Sequence, residues 1–96
     1  MEITPLHTKV DKSIQLTTGT VVLEEPKGFP RGESNLYCLS YDGKVLWHAE
    51  KPEPQTLYSR MRLNEDGQTL GTYTLSGHAC ELDAQTGKIL SQTRLQ

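Results

Sequence analysis

Turn residues constrain this chain more than anything else in it. Gly19, Gly43, Gly67, Gly77 and Gly87 each follow a residue suited to a turn: Thr18, Asp42, Asp66, Ser76 and Thr86. Asp-Gly and Ser-Gly close hairpins readily because glycine takes a positive φ at no steric cost. Between these breaks lie runs of five to seven residues with strand composition: SIQLT, TVVLE, LYCLSY, KVLWHA, LYSRMRL, TLGTYTL, HACELD and KILSQTR. Several alternate. Leu57, Ser59, Met61 and Leu63 fall on one side and Tyr58, Arg60 and Arg62 on the other, the period of a strand with one wet face. No window of roughly eleven or more residues carries helical spacing, so the chain is expected to be all-β.

The punctuation also repeats. Gly19 is answered by Gly67, 48 positions on (67 minus 19), and Gly43 by Gly87, 44 positions on (87 minus 43). The difference falls between the second and third strands, where the first half carries the loop EPKGFPRGES and the second only the tight LSGH. Residues 13–49 and 57–94 therefore each read as a four-stranded antiparallel meander. Linker 50–56 joins them; its Pro52 and Pro54 cannot donate to a ladder and mark the boundary. Residues 2–10 can add a strand at one edge. The 96 residues make a single domain, 1–96, in which the two sheets share a core.

A four-stranded repeat of about 40–50 residues has the length of a propeller blade, and particular residues carry that likeness. The stretch SRMRLNEDGQTLGTYTLSGHACELDAQTGKIL resembles a blade of the tryptophan–aspartate repeat or quinoprotein-type propellers. In those families one strand ends in an Asp-Gly turn and another in a Leu-Asp-x-x-Thr-Gly-Lys turn. Here these are Asp66-Gly67 and the run from Leu82 to Lys88. LYCLSYDGKVLW is similar to the quinoprotein-type form, with Trp47 where that family places its docking tryptophan and Ser91 at the corresponding place in the second unit. Two blades cannot close a ring, which takes roughly four to eight. The expected architecture is thus two blade-like sheets packed as a small sandwich or partial propeller. The quinoprotein likeness implies a bound quinone, a calcium ion and a catalytic aspartate in a many-bladed funnel. No position here carries those residues over, and the adjacent cysteine pair of some members is missing, so no cofactor is expected.

Composition narrows the partners. The hydrophobic fraction is 34% and the mean hydropathy −0.56, a thin supply for a chain that must bury a core. Association with a second copy would relieve the shortage, so a homo-oligomer is expected. A net charge of −2 with interleaved signs offers no basic face for nucleic acid. No apolar run approaches the roughly 20 residues that span a bilayer, so no membrane partner is expected. MEITPLHTKV lacks the charged start and apolar stretch of a secretory signal, which makes the cytoplasm the expected compartment. Cys38 and Cys80 form no CxxC pair and read as reduced, buried thiols.

Few residues suggest chemistry. His78 and Cys80 lie two apart on one strand and so share a face; with His48 or Glu81 they could complete a metal site. Zinc frameworks, however, bring two ligand pairs where this chain has one loose pair, and no metal is expected. No glycine-rich elbow holds a serine, no phosphate loop is present, and Cys38 sits mid-strand like an inert packed thiol, so no catalytic residue is assigned. Trp47, Tyr58, Arg60 and Arg62 straddle the linker. They form either an aromatic and basic patch or, as the stronger reading, a core tryptophan and a solvated arginine face, since one large aromatic supplies much of a small core. Phe29, between Gly28 and Pro30, either plugs the end of a sheet or anchors a partner. The chain reads as a non-enzymatic β-repeat binding and assembly module. A protein or peptide partner at an edge strand is a further option. The alternative is a small-molecule binding protein or degenerate enzyme with a pocket between the sheets near Trp47, Tyr58 and His78.

Overall fold

A computed structural model describes residues 3–95, and over that range the chain is all-β. Eight strands follow in order: β1 (Val10–Gln15), β2 (Thr20–Glu24), β3 (Leu36–Leu39), β4 (Val45–His48), β5 (Tyr58–Leu63), β6 (Thr69–Thr74), β7 (His78–Asp83) and β8 (Ile89–Arg94). They form two four-stranded sheets, ordered β1-β2-β3-β4 and β5-β6-β7-β8, with every neighbouring pair antiparallel. The two expected meanders are present, packed on one another.

Local chemistry accounts for most of the hairpins. Gly43 and Gly67 sit at φ 91° and 70° in their Asp-Gly turns, where a side chain would be strained. The Asp66 carboxylate tightens the second turn by accepting the N–H groups of Gln68 and Thr69 at 2.9 and 3.0 Å. Gly19 serves a different need. Its φ is not left-handed, but a Cβ there would run into the carbonyl oxygen of Leu39, so the glycine permits a close backbone approach.

The sheets match in their irregularities. A bulge interrupts β1–β2 between Val10 and Lys12, and β5–β6 between Tyr58 and Arg60. A second interrupts β3–β4 between Cys38 and Leu39, and β7–β8 between Glu81 and Leu82. Aligning the bulges sets Trp47 against Ser91, 44 apart (91 minus 47), and Cys38 against Glu81, 43 apart (81 minus 38). By the same ladders Leu23, opposite Leu36, corresponds to Tyr73, opposite Ala79.

The first sheet is the middle layer. One of its faces carries Val21, Leu23, Leu36 and Cys38 and shares a core with Tyr58, Met61, Leu70, Cys80 and Leu82 of the second sheet. Its other face carries Val22, Tyr37 and Leu39, covered by Ile3 and Val10. That cover replaces the expected edge strand over 2–10. Glu2 lies outside the described residues, β1 begins only at Val10, and residues 3–9 cross the sheet as a strap. The cause is Glu24, 0% exposed, whose carboxylate accepts the N–H groups of Leu6, His7 and Thr8 at 2.6, 3.0 and 2.9 Å and the hydroxyl of Tyr37. Amides that a ladder would have satisfied are held by a side chain instead.

Side chains also fasten one sheet to the other. The Asn35 amide donates through Nδ2 to the carbonyls of Glu24 and Tyr58 at 2.9 and 2.7 Å, and its Oδ1 accepts the Tyr58 N–H at 2.8 Å. It thus stands in for a neighbouring peptide group at the start of β5. Lys12 Nζ donates to the Met61 carbonyl at 2.9 Å. Trp47 lies on Gly87, where a Cβ would be 2.8 Å from Cδ2 of the indole and closer still to Cε3, so only glycine leaves room for the ring. Lys51 ties the linker to the long loop, donating to the carbonyls of Arg31, Glu33 and Pro54 at 2.8, 2.9 and 2.7 Å. Phe29 is buried in that loop, edge-on to His7 with ring centroids 4.9 Å apart.

Candidate functional site

In the second sheet the strands alternate cleanly. Leu70, Thr72 and Thr74 on β6 and His78, Cys80 and Leu82 on β7 are buried, while Gly71, Tyr73, Ala79 and Glu81 face away from the first sheet. The ladders arrange this outer face in two rows across the strands. One runs Arg60, Tyr73, Ala79, Thr93 and the other Arg62, Gly71, Glu81, Ser91. Small residues in the middle leave a hollow of about 160 Å³, bounded by Arg62, Tyr73, Ala79, Glu81 and Ser91. The side chain of Arg62 leans over Gly71, with Nε 3.4 Å from the place a Cβ would take. Tyr73 is 48% exposed beside it. Among the described residues neither Arg62 nor Glu81 has an ion-pair partner.

The same sheet positions in the first sheet are apolar and covered. Ile14, Val21, Leu23, Leu36, Cys38 and Trp47 there correspond to Arg62, Gly71, Tyr73, Ala79, Glu81 and Ser91 here. The inner face of the second sheet, with Cys80 and Leu82, corresponds to the strap-covered face of the first, with Tyr37 and Leu39. Opposite faces therefore meet, as in a series of stacked units, and the outer face of the second sheet is the position at which a further unit would sit.

The sequence candidates fall in four separate places. Trp47 is half-buried on Gly87, and Tyr58 is buried in the shared core with its hydroxyl donated to the Glu50 carbonyl. Core side chains fill the space between the sheets there. Arg60 and Arg62 lie on the outer face, apart from both aromatics. Phe29 is the plug of its loop. His78 is buried elsewhere, with Nδ1 3.2 Å from Ser76 Oγ and 3.5 Å from Glu53 Oε1. Glu53 and Ser76, though not His78, also line a cavity of about 350 Å³ with Arg31, Gln55, Thr56 and Leu75. A proton relay uses the two ring nitrogens on two different partners. Here one nitrogen faces both, so the geometry is that of a hydrogen-bonded brace.

The other reactive types are similarly occupied. Burial pushes the thiols of Cys38 and Cys80 up, away from the nucleophilic thiolate. Burial, with Cys80 and Glu50 as acidic neighbours, likewise raises the Tyr58 hydroxyl. For Glu24, burial alone would raise the carboxyl, but the Tyr37 hydroxyl and the amides of Leu6, Thr8 and His7 outweigh it and hold it below its ordinary value. The suggested metal ligands are dispersed: the His48 ring lies 6.2 Å from that of Tyr37 and Glu81 points outward. Among the described residues no three metal-ligating side chains gather. No helix there is long and apolar enough to cross a membrane.

Sequence reasoning missed Tyr73, Ala79 and Glu81 as members of one face with the arginines. The signal was present as alternation in TLGTYT and HACELD, but only the pairing register puts these residues in the same rows.

The chain belongs to the family described as a domain of unknown function (DUF7957), whose model matches residues 2–94 and so spans both sheets. No curated protein matches the sequence.

Proposed function

We propose that the chain is a non-enzymatic binding and assembly module: two blade-like units in series, closed at one end by the strap and offering the outer face of the second sheet to another macromolecule. The observation that carries this reading is the inequality of two corresponding faces. Positions that are apolar and covered in the first sheet are occupied in the second by a half-exposed tyrosine, an arginine, a glutamate and small residues around a hollow. Aromatic and arginine side chains on an open face are the residue types that anchor interfaces. The propeller likeness is supported by the meeting of opposite faces and by the seat of Trp47 on Gly87. Two unpaired buried thiols suit a reducing compartment, and the cytoplasm is the compartment assigned.

The reading is tested by placing a benzophenone side chain at position 73 and, as control, at Glu65 in the exposed β5–β6 turn, then irradiating cells that make the protein. A single discrete adduct at 73, lost when Ala79→Arg is added, is expected. Equal labelling at both positions, or none at 73, overturns it.

A further inference from the structure

The rows of the outer face have a property that a general binding surface does not need. In each row, positions equidistant from the line between β6 and β7 pair a large residue with a small one. Arg60 and Tyr73 precede Ala79 and Thr93 in one; Arg62 and Gly71 precede Glu81 and Ser91 in the other. A two-fold axis along that line, lying in the plane of contact, lays each row on its own reverse. Arg60 then meets Thr93, Tyr73 meets Ala79, Glu81 meets Gly71 and Arg62 meets Ser91. Every large side chain is opposed to a small one. Glu81 arrives above Gly71, where Arg62 already leans, so the carboxylate meets the guanidinium that has no ion-pair partner among the described residues. The hollow of about 160 Å³ is of the size that accepts an aromatic ring, a cavity of ~150 Å³ being enough for benzene.

From this we infer that the partner of the outer face is a second copy of the chain, docked face to face about that axis. The inference rests on the reading above and specifies its occupant. Head-to-tail growth would need the outer face of one copy to sit on the first sheet's second face, which residues 3–9 already cover. The isologous contact is what remains, and it closes as a dimer instead of a filament. Two rows of four side chains make a small interface, below about 1,200 Å² in total, so the dimer is weak, with a Kd in the micromolar range or above.

Sedimentation velocity of the full chain up to about 1 mM is the test, a range that captures such an affinity. Concentration-dependent dimer is expected, weakened by roughly tenfold or more in Ala79→Arg, in Glu81→Arg and in Arg62→Glu, each of which leaves the inward faces untouched. The double variant Arg62→Glu/Glu81→Arg should regain most of the affinity, a rescue that a folding defect would not give. A chain that stays monomeric throughout overturns the inference. So does a dimer indifferent to all these substitutions. An adduct at position 73 of a mass other than twice the monomer, from a chain that sediments as a monomer, sinks this inference while the binding-module reading stands.

Discussion

The two sheets share strand order and bulge positions, yet the central strands of one are buried on both faces and those of the other on one. β2 and β3 are buried at every residue; β6 and β7, their counterparts, alternate. The difference lies in position within the stack. A sheet between a strap and another sheet must be apolar on both sides, while a terminal sheet needs one polar face, as end repeats of stacked arrays generally do. Leu23 and Tyr73 stand at corresponding places and express the contrast most simply.

Substitutions at such pairs either break the comparison or sharpen it. Leu23→Ala should have the largest effect, a loss of about 3–4 kcal/mol in chemical denaturation, because the cavity opens in the shared core. Asn35→Leu should follow at roughly 3 kcal/mol, since both backbone polar groups of Tyr58 would then be buried without partners.

Glu24→Gln should cost about 2 kcal/mol at neutral pH and speed exchange of the Leu6, His7 and Thr8 amides. Its pH dependence has a definite sign. The folded carboxyl lies below the unfolded value of about 4.3, so its stabilisation is complete above that pH and disappears as pH falls through the folded value. Melting temperatures of parent and variant should therefore converge on acidification; a gap that widens would remove Glu24 as the anchor of the strap. Gly87→Ala should cost about 1–2 kcal/mol and red-shift the emission of Trp47, which loses its seat. Tyr73→Ala, at the counterpart of Leu23, should stay within about 0.5 kcal/mol of the parent in dilute solution. A cost equal to that of Leu23→Ala would mean that the outer face belongs to the folding core.

What the sequence made legible was whatever depends on neighbours along the chain. The HACELD and TVVLE strands were delimited correctly, and Asp42-Gly43 and Asp66-Gly67 close hairpins by the φ their glycines adopt. The correspondence of the halves was visible in the turns, although strand register shifts it, since Leu23 and Tyr73 are 50 apart (73 minus 23) where the turn glycines suggested 48. Non-local side-chain bonds were not legible. Glu24 looked like the polar end of a strand, and nothing near it announced that it would take three amides from residues 16 to 18 positions earlier. That capture turned an expected edge strand into a strap. Likewise residue type alone does not separate a core aromatic such as Tyr58 from Arg60, its neighbour two residues on, whose side chain faces water.

The paired bulges have a geometric consequence. A bulge increases the right-handed coil of its sheet at the height where it occurs. Because the interruptions recur at corresponding ladder positions in both sheets, the two surfaces are twisted alike at those positions and can nest one against the other. Deleting one extra residue from either sheet alone would flatten that sheet against a twisted neighbour and open a wedge at one corner.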